Sequence, residues 1–332
     1  MHSRSGRCWR RIPFRLVVAL TALLLAACGA DEAAAPAPAG PSDADAADGT
    51  DTETGFADQA GGFPVAVDGV EIASRPERIV SLSTSLTEIL FAVDAGDQVV
   101  AADEYSNYPS EAPATDLSGF QPNVEAIAAF DPDLVVASDD PGELVASLDA
   151  LGIPTLLLPS AVDLDDVYSQ IERLGAATGN VSSAAALVAQ MQADIHTILA
   201  TLDVPDEPLT YYHELTPDYY SVSSSSFIGE IYQLVGLVSI ADDVGEDGGP
   251  YPQLSPEYII EADPDLILLA DADCCDVTPE EVAGRQGWDT ITAVQNDAIV
   301  VLDEDIASRW GPRIVQLLED VAEVIGDLEQ AA

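Results

Sequence analysis

From about residue 74 onward, short apolar runs alternate with stretches whose apolar positions recur at helical spacing. Arg78-Ile79-Val80-Ser81-Leu82 reads as a strand, and Ser85-Leu86-Thr87-Glu88 as a capping box that opens a helix through Phe91. Further strands are expected over Gln98–Ala102, Leu134–Ala137 and Pro154–Leu158, with a helix over Pro141–Leu151. Val181 to Leu202 holds apolar residues at helical spacing without glycine or proline and is the longest helix candidate. The scheme then repeats. Strands are expected over Leu209–Tyr212, Leu266–Ala270 and Ala298–Leu302, with helices over Phe227–Leu237 and from Pro312 through Ile325. The pattern predicts an α/β protein of two lobes, each with a central, mostly parallel sheet, joined by one long helix.

One phrase occurs twice. Glu125 leads into VEAIAAFDPDLVVAS and Glu257 into PEYIIEADPDLILLA, each glutamate six residues before an Asp-Pro-Asp-Leu. Both copies read as a short amphipathic helix stopped by proline, then a buried strand. A repeat at so long a period indicates two similar lobes rather than a solenoid. Matching exposed carboxylates on two lobes suit a single symmetric partner. Taken alone, each is also a helix-start carboxylate favoured by the helix dipole.

The first 28 residues have the form of an export signal: five arginines, then an apolar run over Leu16–Ala27 that is short for a transmembrane helix. Leu25-Ala26-Ala27-Cys28-Gly29 resembles a bacterial lipobox, in which the cysteine (here Cys28) is lipidated. Residues 29–62, rich in Ala, Pro, Asp, Gly and Thr and without a basic residue, are expected to form a disordered tether. The predicted order is therefore signal peptide 1–28, tether 29–62, first lobe 63–180, linking helix 181–203 and second lobe 204–332. The expected location is extracytoplasmic, on the cell membrane.

With 59 acidic and 11 basic residues the formal net charge is −48, and there is no lysine. That field excludes nucleic acid as a partner. Evenly spread acids read as a solvated surface, suited to a saline habitat. Cys8 and Cys28 lie in the export region, which leaves Cys274 and Cys275. These adjacent cysteines have three readings: a strained vicinal disulfide, free thiols, or donors to a soft metal. With one nearby aspartate they do not make a zinc site, and no intrinsic metal or cofactor is expected. Only three histidines are present, with no Gly-x-Ser-x-Gly, phosphate loop or HExxH, so an enzyme is not expected.

Ligands of open parallel sheets bind beyond the carboxyl ends of the strands. Those ends carry Tyr105 and Tyr108, His213 beside Glu214, Asp271 to Cys275, and Asp303 to Trp310, while Phe120 and Tyr251 precede the two phrases in matching places. His213 is a candidate metal-centre ligand or a hydrogen-bonded cleft histidine, and His196 a helix-face residue. Trp310 either lines the cleft or packs beneath the terminal helix.

Seven stretches together carry a resemblance: RPERIVSLSTSLTEILFAV, YSNYP, VEAIAAFDPDLVVAS, FIGEIYQLVG, YPQLSPEYIIEADPDLILLA, GWDTITAVQNDAIVVLD and GPRIVQLLE. From about Ser74 to the C-terminus the chain resembles the periplasmic binding proteins that deliver cobalamin, iron siderophores or haem to ABC importers. The resemblance implies two α/β lobes on one linking helix. It also implies docking of Glu125 and Glu257 onto arginines of a dimeric permease, itself served by an ATPase. The cobalamin binders look most similar: Tyr105 stands in a matching YSxYP loop, Tyr251 where a tryptophan is usual, and Asp305 and Arg309 at the same spacing before Pro-Arg-Ile. Phe120 replaces another tryptophan one residue out of register. The implied ligand is cobalamin or a related corrinoid, with an iron siderophore or haem as the alternative; a metal-ion binder and a thiol-redox protein are the remaining readings. Aromatic faces suit a large macrocycle, whereas an anionic siderophore needs cationic recognition, for which Arg309 is the main candidate.

Overall fold

The structure is a computed structural model that describes residues 62–202, 207–244 and 249–331. The expected signal peptide, Cys28 and nearly all of the tether lie outside the described residues.

Two short strands, β1 (Val65–Val67) and β2 (Val70–Ile72), form an antiparallel hairpin. Its turn, Asp68-Gly69, has positive φ at both positions, which matches the right-handed twist of paired strands. A five-stranded sheet follows. β3 (Ile79–Leu82) leads into α1 (Thr84–Ala92), then β4 (Val99–Asp103), β5 (Ala114–Leu117), α2 (Val124–Ala128), β6 (Leu134–Ala137), α3 (Leu144–Asp149) and β7 (Thr155–Leu157). All pairs are parallel, in the order β5-β4-β3-β6-β7. Alternate residues feed opposite faces: Ile79, Leu134 and Val136 join one apolar cluster, and Val80, Val135 and Ala137 the other. Both faces are thus covered, as a parallel sheet requires.

Helix α4 (Leu164–Thr178) packs against the long α5 (Val181–Thr201), the expected connector. The second sheet is built from β8 (Thr210–Glu214), α6 (Phe227–Leu234), β9 (Val238–Ser239), α7 (Pro256–Ala262), β10 (Leu266–Leu269), α8 (Ala272–Cys275), α9 (Pro279–Ala283), α10 (Thr292–Gln295) and β11 (Ile299–Val301). Its order is β11-β10-β8-β9, again wholly parallel. α11 (Glu304–Ala307) and α12 (Ile314–Ala331) end the chain, and α12 returns to α5.

Three local expectations change. Ser85 and Glu88 are not a capping box: α1 begins at Thr84 after Ser83, and both residues are buried within the helix. α3 starts only at Leu144, because Glu143 adopts a left-handed conformation at its N-cap. α4 is additional to the expected elements, although Val167, Ile171 and Leu174 have helical spacing and Asp163 caps its N-terminus.

The repeated Asp-Pro-Asp has a structural purpose in both copies. Asp131, three residues past α2, and Asp263, the C-cap of α7, both have positive φ, at 50° and 49°. Asp133 then accepts the backbone N–H groups of Glu77 and Arg78 at 2.8 and 2.9 Å, just before β3. Asp265 likewise accepts the N–H and hydroxyl of Thr210, which opens β8, at 2.9 and 2.8 Å. The second carboxylate of each phrase therefore pins the start of the neighbouring central strand.

Candidate functional site

A chain of buried hydroxyls builds one wall at the carboxyl ends of the first sheet. Thr87 Oγ1, on α1, donates to Ser81 Oγ at 2.8 Å and lies 2.9 Å from Ser106 Oγ, which donates to Asp103 at 2.7 Å. Burial pushes the Asp103 carboxyl above its usual range, while the Ser106 hydrogen bond opposes that shift. The chain anchors the loop beyond β4 that presents Tyr105 (56 % exposed) and Tyr108 (46 %). Phe120, 77 % exposed, meets Tyr105 edge-on with centroids 6.1 Å apart. Gly119 lets this segment lie against the end of β3, since a Cβ there would sit 2.4 Å from Leu82 O.

The second wall comes from two loops that pair with each other. Ser221 and Ser223 donate their N–H groups to Pro252 O and Pro250 O, and Tyr220 bridges Gln253 in antiparallel fashion. This pairing presents Tyr251 and Tyr220, 48 % and 42 % exposed. Tyr220 is not among the expected site residues; its only signal in the sequence is the Tyr219-Tyr220 pair shortly beyond a strand end.

Residues near the end of the chain bind to the first wall. Arg309, buried at 6 % exposure, donates to Glu88 Oε1 at 2.8 Å, to Tyr105 O at 3.2 Å and to Asp305. Arg313 donates to both oxygens of Glu88, at 2.6 and 3.0 Å, and its guanidinium lies 4.1 Å from the Tyr108 ring centroid. Asn107 Nδ2 donates to Asp305 at 2.7 Å. Gly311 passes so close that a Cβ would meet Glu88 Oε2 at 2.9 Å. Arg309 is therefore not the free cation expected for an anionic ligand; its charge is matched by two carboxylates. Trp310 packs inward, with its contacts on α4 and α1: Nε1 donates to Gln170 on α4 at 3.0 Å, its N–H donates to Ser85 Oγ on α1 at 3.2 Å, and the residue packs against the core.

A second acid–arginine cluster sits at the carboxyl ends of β8 and β10. Arg285 grips Glu214 through both guanidinium nitrogens, at 2.5 and 2.6 Å, and stacks 4.7 Å over Trp288. Tyr212 adds a third donor to Glu214 at 3.1 Å. Asp271 is also buried, and neither of its oxygens has a donor. Burial, then the adjacent Glu214, pushes its carboxyl up to about 7 against the opposing pull of Arg285. His213 is fully buried; Nδ1 bonds the Tyr232 hydroxyl at 3.0 Å, and burial pushes the imidazole down to about 3. A neutral ring enclosed in this way is not available to a ligand's metal, which corrects its expected place among the ligand residues.

Glu125 and Glu257 are both exposed, each the second residue of its helix (α2 and α7), and neither forms an ion pair among the described residues. The capping residues Asn123 and Ser255 accept the N–H groups of Ala126 and Tyr258. His196 is exposed on α5, and Cys274 and Cys275 are free, exposed thiols in α8. Among the described residues no group of three or more His, Cys, Asp or Glu is arranged to hold a metal ion, and no helix is long and apolar enough to cross a membrane.

All six arginines beyond the export region are engaged by acceptors of the chain itself. Besides Arg285, Arg309 and Arg313, Arg75 donates to Thr178 O, Arg78 to Phe130 O and Asp131 O, and Arg173 to Asp68. Arg285, Arg309 and Arg313 are each paired with a carboxylate, whereas Arg75 and Arg78, which precede β3, bond only neutral acceptors. The arrangement at the strand ends therefore offers a ligand exposed aromatic faces and carboxylate or hydroxyl acceptors.

Residues 79–306 match the family described as periplasmic binding protein. An uncharacterized ABC transporter substrate-binding lipoprotein of Bacillus subtilis (strain 168), YvrC, is 32% identical over 279 residues, covering 79% of this chain and 86% of that protein. A cobalamin-binding protein of Halobacterium salinarum (strain ATCC 29341 / DSM 671 / R1) is 32% identical over 280 residues, covering 80% and 75%. Among solved structures, the periplasmic vitamin B12 binding protein BtuF of Vibrio cholerae aligns with a TM-score of 0.63 and 28% identity, over 77% of this chain and 98% of that one. The periplasmic haem-binding protein RhuT of Roseiflexus sp. RS-1 aligns at 0.67 and 26%, over 76% and 98%.

Proposed function

The chain belongs to the periplasmic binding protein family, and on that premise we propose that it is a lipid-anchored receptor outside the cytoplasm that captures a neutral corrinoid of the cobalamin type and passes it to an ABC importer. The observation that carries the choice of ligand is the pairing of exposed aromatics with fully engaged arginines. Tyr105, Tyr108, Phe120, Tyr220 and Tyr251 offer flat apolar area at the strand ends, where ligands of such sheets bind. A macrocycle with amide arms uses that area and the nearby acceptors. A catecholate–iron complex carries negative charge that no free cation of this cleft would balance. The resemblance to cobalamin-binding relatives supports the same choice.

In this reading the lobes span residues 63–180 and 204–332, Cys28 carries the lipid, and Glu125 and Glu257 dock onto the permease dimer, one from each lobe. Reversing both charges (Glu125→Arg with Glu257→Arg) is expected to abolish uptake while leaving ligand affinity in solution unchanged. Uptake that survives the double reversal contradicts docking through these residues. The absorption spectrum of protein purified from its native host tests the ligand class: a corrinoid band is expected. A haem band would support the second reading, which the alignment with a haem-binding structure favours. With His213 enclosed, the exposed tyrosines and the free thiols of Cys274 and Cys275 are the side chains left to ligate haem iron.

A further inference from the structure

Cys274 and Cys275 close the short helix α8, which starts at Asp271 immediately beyond β10 and stops at Asp276 in a left-handed conformation. Both thiols are free and exposed. The Cys274 N–H donates to Glu304 Oε2 at 2.8 Å. Glu304 opens α11, and the next residue, Asp305, accepts from Asn107 of the first lobe and from Arg309. The cysteine pair is therefore joined, through one backbone hydrogen bond, to the helix whose Asp305 contacts Asn107 of the first lobe.

Adjacent cysteines have Cα atoms about 3.8 Å apart, closer than the roughly 4.4–6.8 Å that ordinary disulfides adopt. The two thiols interact, yet a bond between sulfurs of adjacent residues needs a backbone turn that the helical conformation of α8 does not provide. A disulfide here is strained, and strained disulfides are the easily reduced, labile ones. Desolvation, the Cys275 thiol and Glu304 push the Cys274 thiol up to about 12, which leaves very little of it as thiolate at neutral pH.

We propose that Cys274 and Cys275 form a reversible thiol-oxidation site, in which a low-molecular-weight disulfide converts them to a vicinal disulfide and unwinds α8. Cys275 attacks first as its thiolate, breaking the S–S bond of the small disulfide and releasing one small thiol. Cys274 then gives up its proton, attacks the Cys275 sulfur of the mixed disulfide and releases the second small thiol. Two protein thiols are oxidised and one small disulfide is reduced to two thiols, which carry away the two protons. Unwinding withdraws the Cys274 N–H from Glu304 and loosens α11, the helix that carries Asp305. The site stands without the ligand assignment; its effect on ligand binding rests on the proposed function.

The test is to incubate the exported protein with oxidised glutathione and analyse the digest peptide that holds both cysteines by mass spectrometry. The expected product has lost two hydrogen atoms, resists alkylation, and recovers both thiols with dithiothreitol. A Cys274→Ser variant should stop at the glutathione adduct on Cys275. Wild-type protein that stays reduced, or stops at the adduct, overturns the proposal. Hydrogen exchange provides the second readout: oxidation should speed exchange at the Cys274 amide roughly tenfold. Unchanged exchange there would overturn the coupling to α11. Binding of cyanocobalamin is measured on the same two samples. If neither binds, the ligand assignment fails while the mass result still decides the thiol site.

Discussion

Glu88 and Glu214 are both buried glutamates held by arginine, yet they do different work. Glu88 belongs to α1 of the first lobe, and its partners Arg309 and Arg313 come from the end of the chain. Glu214 and Arg285 both belong to the second lobe, and beside them Asp271 has no donor at all. The first cluster has two cations for two acids, Glu88 and Asp305, and joins the end of the chain to the first lobe. The second has one cation for two acids and stays inside a lobe. A cluster that matches its charges across two bodies sets how they meet, whereas one that leaves an acid unmatched must hold a proton instead.

The largest effect is expected at Glu88. Glu88→Gln removes the carboxylate that joins two partly buried guanidinium groups and should cost about 3–5 kcal/mol, measured by chemical denaturation. Because the contact spans the lobes, the single transition should also split or broaden. A sharp transition with unchanged midpoint would show that the lobes are held by something else. Arg285→Ala comes next, with an expected loss of about 3 kcal/mol. It leaves Glu214 and Asp271 without a cation, but Asp271 can keep its proton, and the transition should stay single because the damage is confined to one lobe.

Asp271 distinguishes the clusters by pH. Its carboxyl is raised to about 7 in the folded chain, so between the usual carboxylate range and about 7 the folded state binds more protons than the unfolded one. The group's contribution is therefore greatest at acid pH and declines as pH rises towards 7. Every tenfold difference in proton affinity between the folded and unfolded chain is worth about 1.4 kcal/mol. Asp271→Asn should flatten that decline and be more stable than the wild type at pH 8. A variant whose stability tracks the wild type across the range would mean that the acid is not protonated there. The smallest effect is expected at the hydroxyl chain. Ser106→Ala removes one hydrogen bond to Asp103, costing about 1–3 kcal/mol because the acceptor is buried; it loosens the Tyr105 loop and lets burial raise the Asp103 carboxyl further.

Much of this architecture is legible in the pattern of apolar residues. The strands around Val80, Val135, Tyr212 and Ile267 are short, fully buried runs between helical stretches, and Val181–Leu202 has no breaker, so spacing alone places them. The twin phrases also announce two lobes, although their second aspartates pin strand starts, which only the fold shows. Ser85-x-x-Glu88 matches a capping pattern and misleads, because the same residue types suit a helix buried on several sides with distant arginines. The Glu88–Arg309–Arg313 bridge joins residues more than two hundred positions apart, and one sequence carries no trace of such pairing. His213 misleads for a similar reason: a strand end marks the cleft, but neighbouring α6, through Tyr232, covers that particular ring. Tyr220 is hidden in the sequence because it lies in an irregular loop whose only order is its pairing with the Gln253 segment.

The central claim is that an aromatic cleft without a free guanidinium selects a neutral macrocycle. The most direct measurement is a side-by-side titration of purified protein with cyanocobalamin, haem and a ferric catecholate complex, repeated with Tyr105→Ala and Tyr251→Ala. The account predicts saturation by cyanocobalamin at one per chain, no binding of the catecholate, and affinity weakened roughly tenfold by each substitution. Tight binding of the anionic complex, with cyanocobalamin failing to bind, would contradict it.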